Sequence, residues 1–181
     1  MCNCIYVFLE GDKDERFFNV IIKPILRQRY DAIVPWRYAH RSKEDVIRAL
    51  RSVRDGKADY LFLKDIDTRP CVTARKEDLV KTYRKRIDLS WAVVVIREIE
   101  SWYLAGLDDE DRQKLGISPN RHRHTDDVTK ELFESLMPKK YDSITDFMDE
   151  ILKRFCIDTA KGRNRSFCYL MDLLEARLRK A

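Results

Sequence analysis

Along this chain, short apolar runs alternate with amphipathic segments up to about residue 106, and only amphipathic segments follow. Ile5-Tyr-Val-Phe-Leu9 is rich in β-branched and aromatic residues and apolar on both faces, the pattern of a strand buried inside a parallel sheet. It stops at Glu10-Gly11, where Asp12, Asp14 and Glu15 open a helix carrying Phe17, Phe18, Ile21, Ile22, Ile25 and Leu26. Pro24 should kink or end that helix near Lys23, because proline lacks an N–H and collides with the preceding turn. A second unit pairs a strand over Ala32–Tyr38 with a helix that Ser42-x-x-Asp45 caps and Gly56 stops, with Val46, Ile47, Leu50 and Val53 on its inner face. Tyr60–Leu63 forms a third strand that runs into Asp65-Ile66-Asp67. A basic amphipathic stretch, Val72–Arg86, follows, and then a fourth strand over Trp91–Ile96.

Strands that alternate with helices predict an α/β fold with a mostly parallel sheet and helices on both faces. After Gly106 the periodicity predicts helices alone: Asp126–Met137, Ser143–Phe155 behind a second Ser-x-x-Asp cap, and Ser166–Arg179. The organisation expected is an α/β core over 1–106 and a helical extension over 107–181 packed on the same domain, with an exposed loop over Pro119–Thr125. Its 181 residues suit one ordinary domain.

Composition narrows the class. At 44% hydrophobic and 37% charged residues the chain has material for a core and is no disordered segment. No apolar run nears the roughly 18 residues that a spanning helix needs, and the N-terminus lacks a signal-peptide pattern, so a cytoplasmic protein without membrane attachment is expected. Five cysteines without C-x-x-C spacing point to reduced thiols. The net charge of +5 permits an anionic partner without requiring one.

Candidate chemistry gathers at strand ends. Glu10 closes the first strand, Asp65 and Asp67 the third, and Glu98 and Glu100 the fourth. In an open α/β sheet, ligands bind beyond the carboxyl ends of the strands, so these acids are expected to converge there. If the third strand persists, its period-two spacing points Asp65 and Asp67 to one side. Hard oxygen donors suit Mg²⁺ or Mn²⁺. The competing reading pairs each acid with a neighbouring cation, Lys64, Arg69 or Arg97. A zinc site from His40, His122, His124, Cys2 and Cys4 lacks any finger-type spacing, and Trp102 and Tyr103 read as packing residues. For a phosphate grip the candidates are Arg69, with the basic residues that follow it to Arg86, and Lys161, Arg163 and Arg165 before the last helix.

Glu10-Gly-x-x-Asp14 after a hydrophobic strand, with a later strand ending in Asp65-x-Asp67, resembles the TOPRIM domain of topoisomerases, primases, OLD-family nucleases and a small ribosomal-RNA maturation ribonuclease. Ile96-Arg-Glu-Ile-Glu100-Ser-Trp102 is also similar to a motif of small stand-alone TOPRIM-like proteins related to the OLD and RloB groups, which are linked with defence against phage. The resemblance covers roughly residues 5–105, and Thr68-Arg69-Pro70 stands where many TOPRIM domains have a third acid or a glycine. It implies that Glu10, Asp65 and Asp67 hold the metal, with Glu98 and Glu100 matching more loosely. The expected activity is Mg²⁺-dependent cleavage of nucleic acid, with Glu10 as general base, Asp65 and Asp67 as ligands and Arg69 or Lys161 as the transition-state cation. The alternative is a catalytically silent metal- or nucleic-acid-binding module that works with a partner ATPase or nuclease.

Overall fold

The computed structural model describes residues 3–84, 86–118 and 124–179. Two compact units divide between Val95 and Ile96: an α/β unit up to Val95, joined by the chain's end from Arg177, and a helical unit, Ile96–Ala176. Residues 96–106, grouped by the sequence pattern with the α/β core, thus belong to the helical unit.

In the α/β unit, β1 (Cys4–Leu9), β2 (Ala32–Arg37), β3 (Asp59–Asp65) and β4 (Ala92–Val95) form one all-parallel sheet in the order β2-β1-β3-β4. Phe8 lies opposite both Trp36 and Phe62 in register, and Asp65 lies opposite Val95. Because side chains alternate across a strand, Phe8, Tyr60, Phe62 and Ala92 share one face. There they join Val46, Ile47, Leu50 and Val53 of α3 (Lys43–Asp55) and Leu79 of α4 (Val72–Thr82) in a single buried cluster. Stacking of Phe62 on Phe8 and Tyr38, with centroids 5.5 and 4.9 Å apart, ties this layer together. The opposite face, from Ile5, Val7 and Leu9 to Leu61, Leu63, Val93 and Val95, is equally buried. Right-handed crossovers place the helix after β1 on that face, since the chain leaves β1 toward β2 but leaves β2 and β3 in the other direction.

Of the two outcomes expected at Pro24, a kink or an end, the first helix does not show the end. α1 (Asp12–Phe17) passes into one π-helical stretch, Phe18–Ile22, and then into α2 (Lys23–Leu26), so the run changes helix type at Lys23 and continues through Pro24 rather than ending there. The widened turn donates the Lys23 N–H to the Phe18 carbonyl, and Pro24 enters at the start of α2, where its missing N–H costs least. Ser42 caps α3 as its motif predicts: Asp45 N–H donates to Ser42 Oγ (3.1 Å) and Ser42 N–H to Asp45 Oδ2 (3.3 Å). The fourth strand is shorter than expected, because Leu89–Trp91 forms a 3₁₀ turn capped by Asp88.

The helical unit contains α5 (Glu100–Ala105), α6 (Asp109–Leu115), α7 (Lys130–Ser135), α8 (Ile144–Leu152), α9 (Ile157–Arg163) and most of α10 (Arg165–Leu178). α8 starts behind Ser143 as predicted. The helix expected from Asp126 begins only at Lys130, because the Asp126 carboxylate is held by Arg165, from its backbone N (2.9 Å) and from Nε (2.6 Å). Gly162 lies inside α9. A buried polar network joins the segments. Asn164 Nδ2 donates to Ser101 Oγ (3.2 Å) and Thr125 Oγ1 (3.1 Å), Asn164 Oδ1 accepts from Ser166 Oγ (2.8 Å), and Ser166 Oγ accepts from Trp102 Nε1 (2.8 Å). Among the described residues no helix is long and apolar enough to cross a membrane.

Candidate functional site

The strand order creates a crevice. The connection after β1 runs toward β2 and that after β3 toward β4, so the chain diverges between the carboxyl ends of β1 and β3, the place where doubly wound sheets bind ligands. Glu10 follows β1 directly, and the parallel register that pairs Phe8 with Phe62 carries Lys64 alongside it. The Lys64 ammonium donates to both Glu10 oxygens, at 2.7 and 2.8 Å, and lies 3.2 Å from Asp67 Oδ2. One cation therefore gathers carboxylates from two loops 57 positions apart in sequence.

Asp65 ends β3, so the strand does not persist and the period-two expectation for Asp67 fails. Asp67 instead occupies a turn with a left-handed backbone (φ 50°), which aspartate tolerates better than most residues, while Ile66 N–H bonds to the Val95 carbonyl (2.9 Å). Arg75, one turn into α4, fixes this turn: its Nε donates to the Asp65 carbonyl (2.9 Å) and its Nη2 to the Asp67 carboxylate. Tyr38 sits in the core, stacked on Phe62. It is buried, its hydroxyl donates to the Leu63 carbonyl (2.6 Å), and its phenol is held well above the usual tyrosine range, first by burial and then by the charges of Glu10, Tyr83, Asp14 and Asp65. Three carboxylates, Glu10, Asp14 and Asp65, thus lie within electrostatic reach of one hydroxyl. Tyr83 is raised in the same way, by burial and then Glu10, and Arg75 opposes the shift.

The remaining predicted residues are placed as follows. Arg69 pairs with Asp78. In the helical unit, Glu98 accepts the Lys130 N–H and so helps to start α7, Glu100 is buried at the start of α5, Lys161 pairs with Glu175 (3.1 Å) and Asp172 (3.5 Å), and Arg163 pairs with Asp109 (3.3 Å). Trp102 and Tyr103 are packing residues, fully buried. For the zinc alternative, Cys2 and His122 lie outside the described residues, as do Lys85 of the basic stretch and residues 119–123 of the predicted loop.

Sequence reasoning named Lys64 only as a neutralising neighbour and overlooked Tyr38 and Tyr83; the strand register is the signal that would have found Lys64. The donor set of Glu10, Asp65 and Asp67 has the hard-oxygen chemistry of a Mg²⁺ or Mn²⁺ site. The cation now between two of these donors is the Lys64 ammonium, a stand-in that marks where positive charge is stabilised. Among the described residues no three His, Cys, Asp or Glu side chains stand in ligating geometry. No protein-family model matches the chain, and no similar chain was found among curated proteins or solved structures.

Proposed function

We propose that the chain is a divalent-metal-dependent nucleic-acid phosphodiesterase of the TOPRIM type, acting on the phosphodiester bond at the β1/β3 crevice. One observation carries this reading: the carboxylates of Glu10 and Asp67, from two different loops, close on a single cation at the sheet's switch point. Glu10, Asp65 and Asp67 would hold Mg²⁺ or Mn²⁺, which when bound supplies Lewis-acid polarisation of the scissile phosphate. Glu10, partly exposed, takes the proton of the attacking water as the phosphorus–oxygen bond to the leaving strand breaks. Lys64, released from Glu10, stays beside the phosphate as a countercharge. Arg75 keeps the Asp65–Asp67 turn in place. The work asked of the residues is positioning and charge neutralisation, which is most of what phosphoryl transfer requires. A cytoplasmic setting in phage defence or nucleic-acid processing, with a partner ATPase, belongs to the same proposal.

A second reading has its own support. Because Lys64 and Arg75 already neutralise Glu10 and Asp67, the crevice would also suit a module that binds nucleic acid without cleaving it. The two are separated by following cleavage of labelled single- and double-stranded DNA and RNA in Mn²⁺ and in EDTA. Turnover in Mn²⁺ that falls about a hundredfold or more in Glu10→Gln, with the fold intact by circular dichroism, supports the nuclease. Metal-independent binding with no turnover on any strand supports the silent module.

A further inference from the structure

Beside the carboxylate crevice, and sharing Glu10 with it, a cavity of about 340 Å³ opens between the ends of β1 and β2, lined by Glu10, Gly11, Asp12, Arg37, His40 and Arg41. Its wall is held by backbone. Tyr38 N–H donates to the Leu9 carbonyl (3.0 Å), Ala39 N–H to the Glu10 carbonyl (3.1 Å) and Arg41 N–H to the Tyr38 carbonyl (2.9 Å). This extension of the β1/β2 pairing fixes the loop that bears His40 and Arg41 next to Glu10.

The charges around the cavity are unequal in their commitments. Glu10 is neutralised by Lys64, and Asp12 by Arg37, which also reaches Glu15 at 3.1 Å. Arg41 has no carboxylate partner among the described residues; its guanidinium carbon stands 5.9 Å from the Trp36 ring centroid. An exposed guanidinium without a carboxylate partner, with an imidazole adjacent, is chemistry suited to a phosphate. The volume is at the small end of ligand pockets, enough for one nucleotide unit and too little for a duplex.

We propose that this cavity is a phosphate-binding subsite that seats one nucleotide of a single nucleic-acid strand, with Arg41 as its anchoring cation and His40 as a second donor. It rests on nucleic acid being the substrate and adds to that reading a binding residue set outside the carboxylate crevice. A strand anchored here lies next to Glu10, so the subsite would fix which phosphate reaches the crevice.

The test measures binding in EDTA, apart from cleavage, with a fluorescent single-stranded oligonucleotide, a free nucleoside monophosphate and inorganic phosphate as probes. Arg41→Gln is expected to weaken oligonucleotide binding about tenfold, the loss of one charge-assisted contact. Arg41→Lys should retain most of the affinity, His40→Gln should lose a smaller part, and Arg51→Gln, on the exposed side of α3, should lose none. Oligonucleotide affinity unchanged in Arg41→Gln, or equal losses in Arg41→Gln and Arg51→Gln, overturns the subsite. A free nucleotide that binds with Arg41 dependence while the oligonucleotide does not bind overturns the assignment to a strand. Cleavage in Mn²⁺ reports on the other reading: Arg41-dependent binding without turnover leaves the subsite standing and removes the nuclease, and turnover with Arg41-independent binding does the reverse.

Discussion

Replacing Lys64 with Met removes the ammonium and keeps most of the apolar stem, so it tests what the crevice does with its negative charge. The Lys64 side chain is 14% exposed, that of Glu10 31% and that of Asp67 46%. With the cation gone, the two carboxylates are left within about 6 Å of each other, and at an effective dielectric constant near 20 their repulsion is about 3 kcal/mol. Solvent around Asp67 screens about half of this, and the lost charge-assisted hydrogen bonds to Glu10 add to it, giving a net cost of roughly 2 kcal/mol. For a chain of this size that lowers the melting temperature by about 4–8 °C in EDTA. Divalent metal should reverse the loss: an ion at 100 times its dissociation constant adds about 2.7 kcal/mol, enough to bring Lys64→Met to or above the wild type. The wild type should respond less, because its own ammonium competes for the same oxygens. Thermal unfolding of both proteins in EDTA and across a Mn²⁺ series checks this. A variant that melts lower and gains no more from Mn²⁺ than the wild type would refute the argument, since the acids would then be ion-pair partners of Lys64 and nothing else.

Two further outcomes follow from buried polar groups, one in each unit. Tyr38 is neutral in the fold with its titration raised, so its contribution is complete below about pH 10, the unfolded value, and is lost as pH rises toward the folded value; Tyr38→Phe should flatten the fall in stability above that pH, read by urea unfolding between neutral and strongly alkaline buffer. It should also cost about 1 kcal/mol at neutral pH through the lost bond to the Leu63 carbonyl. Asn164→Ala removes the hub shared by Ser101, Thr125 and Ser166 and leaves those buried groups short of partners, so denaturant unfolding should show a loss of about 2–4 kcal/mol; a loss under 1 kcal/mol would mean that the network contributes little.

What the sequence revealed was local. Ile5–Leu9, Tyr60–Leu63 and the Ser42 and Ser143 caps are each specified by residues within a few positions, and each formed where its pattern placed it. Pro24 marked the right place, but the π stretch that precedes it and lets the run continue leaves no periodic signature. α5 was hidden for another reason: every residue from Glu100 to Ala105 is buried, so the helix has no polar face and no hydrophobic period to detect. In the crevice, the acids were legible as types at strand ends, but their partners were not. That Lys64 meets Glu10 depends on the register of two strands 54 positions apart, and that Arg75 meets Asp67 depends on a left-handed turn. Neither can be read from spacing along one element.

The charge balance gains meaning only once such pairs are known. A surplus of five positive charges, spread evenly, would make the run of basic residues from Arg69 onward the natural landing place for an anion. Yet Arg69 and Arg75 both pair with Asp78, Arg75 also binds Asp67, and Arg84 stands 4.0 Å from Glu44, so much of that run is engaged in holding α4 and its loop in place. An incoming phosphate would have to break an existing pair there, and the gain from the new contact would be offset by the carboxylate left behind. At the end of β2 the cost is absent, because Arg41 gives up only its place near the Trp36 ring. The density of basic residues along a sequence is therefore a poorer guide to an anion site than which of those cations the fold has already paired, and Arg41 in the loop after β2 is one that it leaves without a carboxylate.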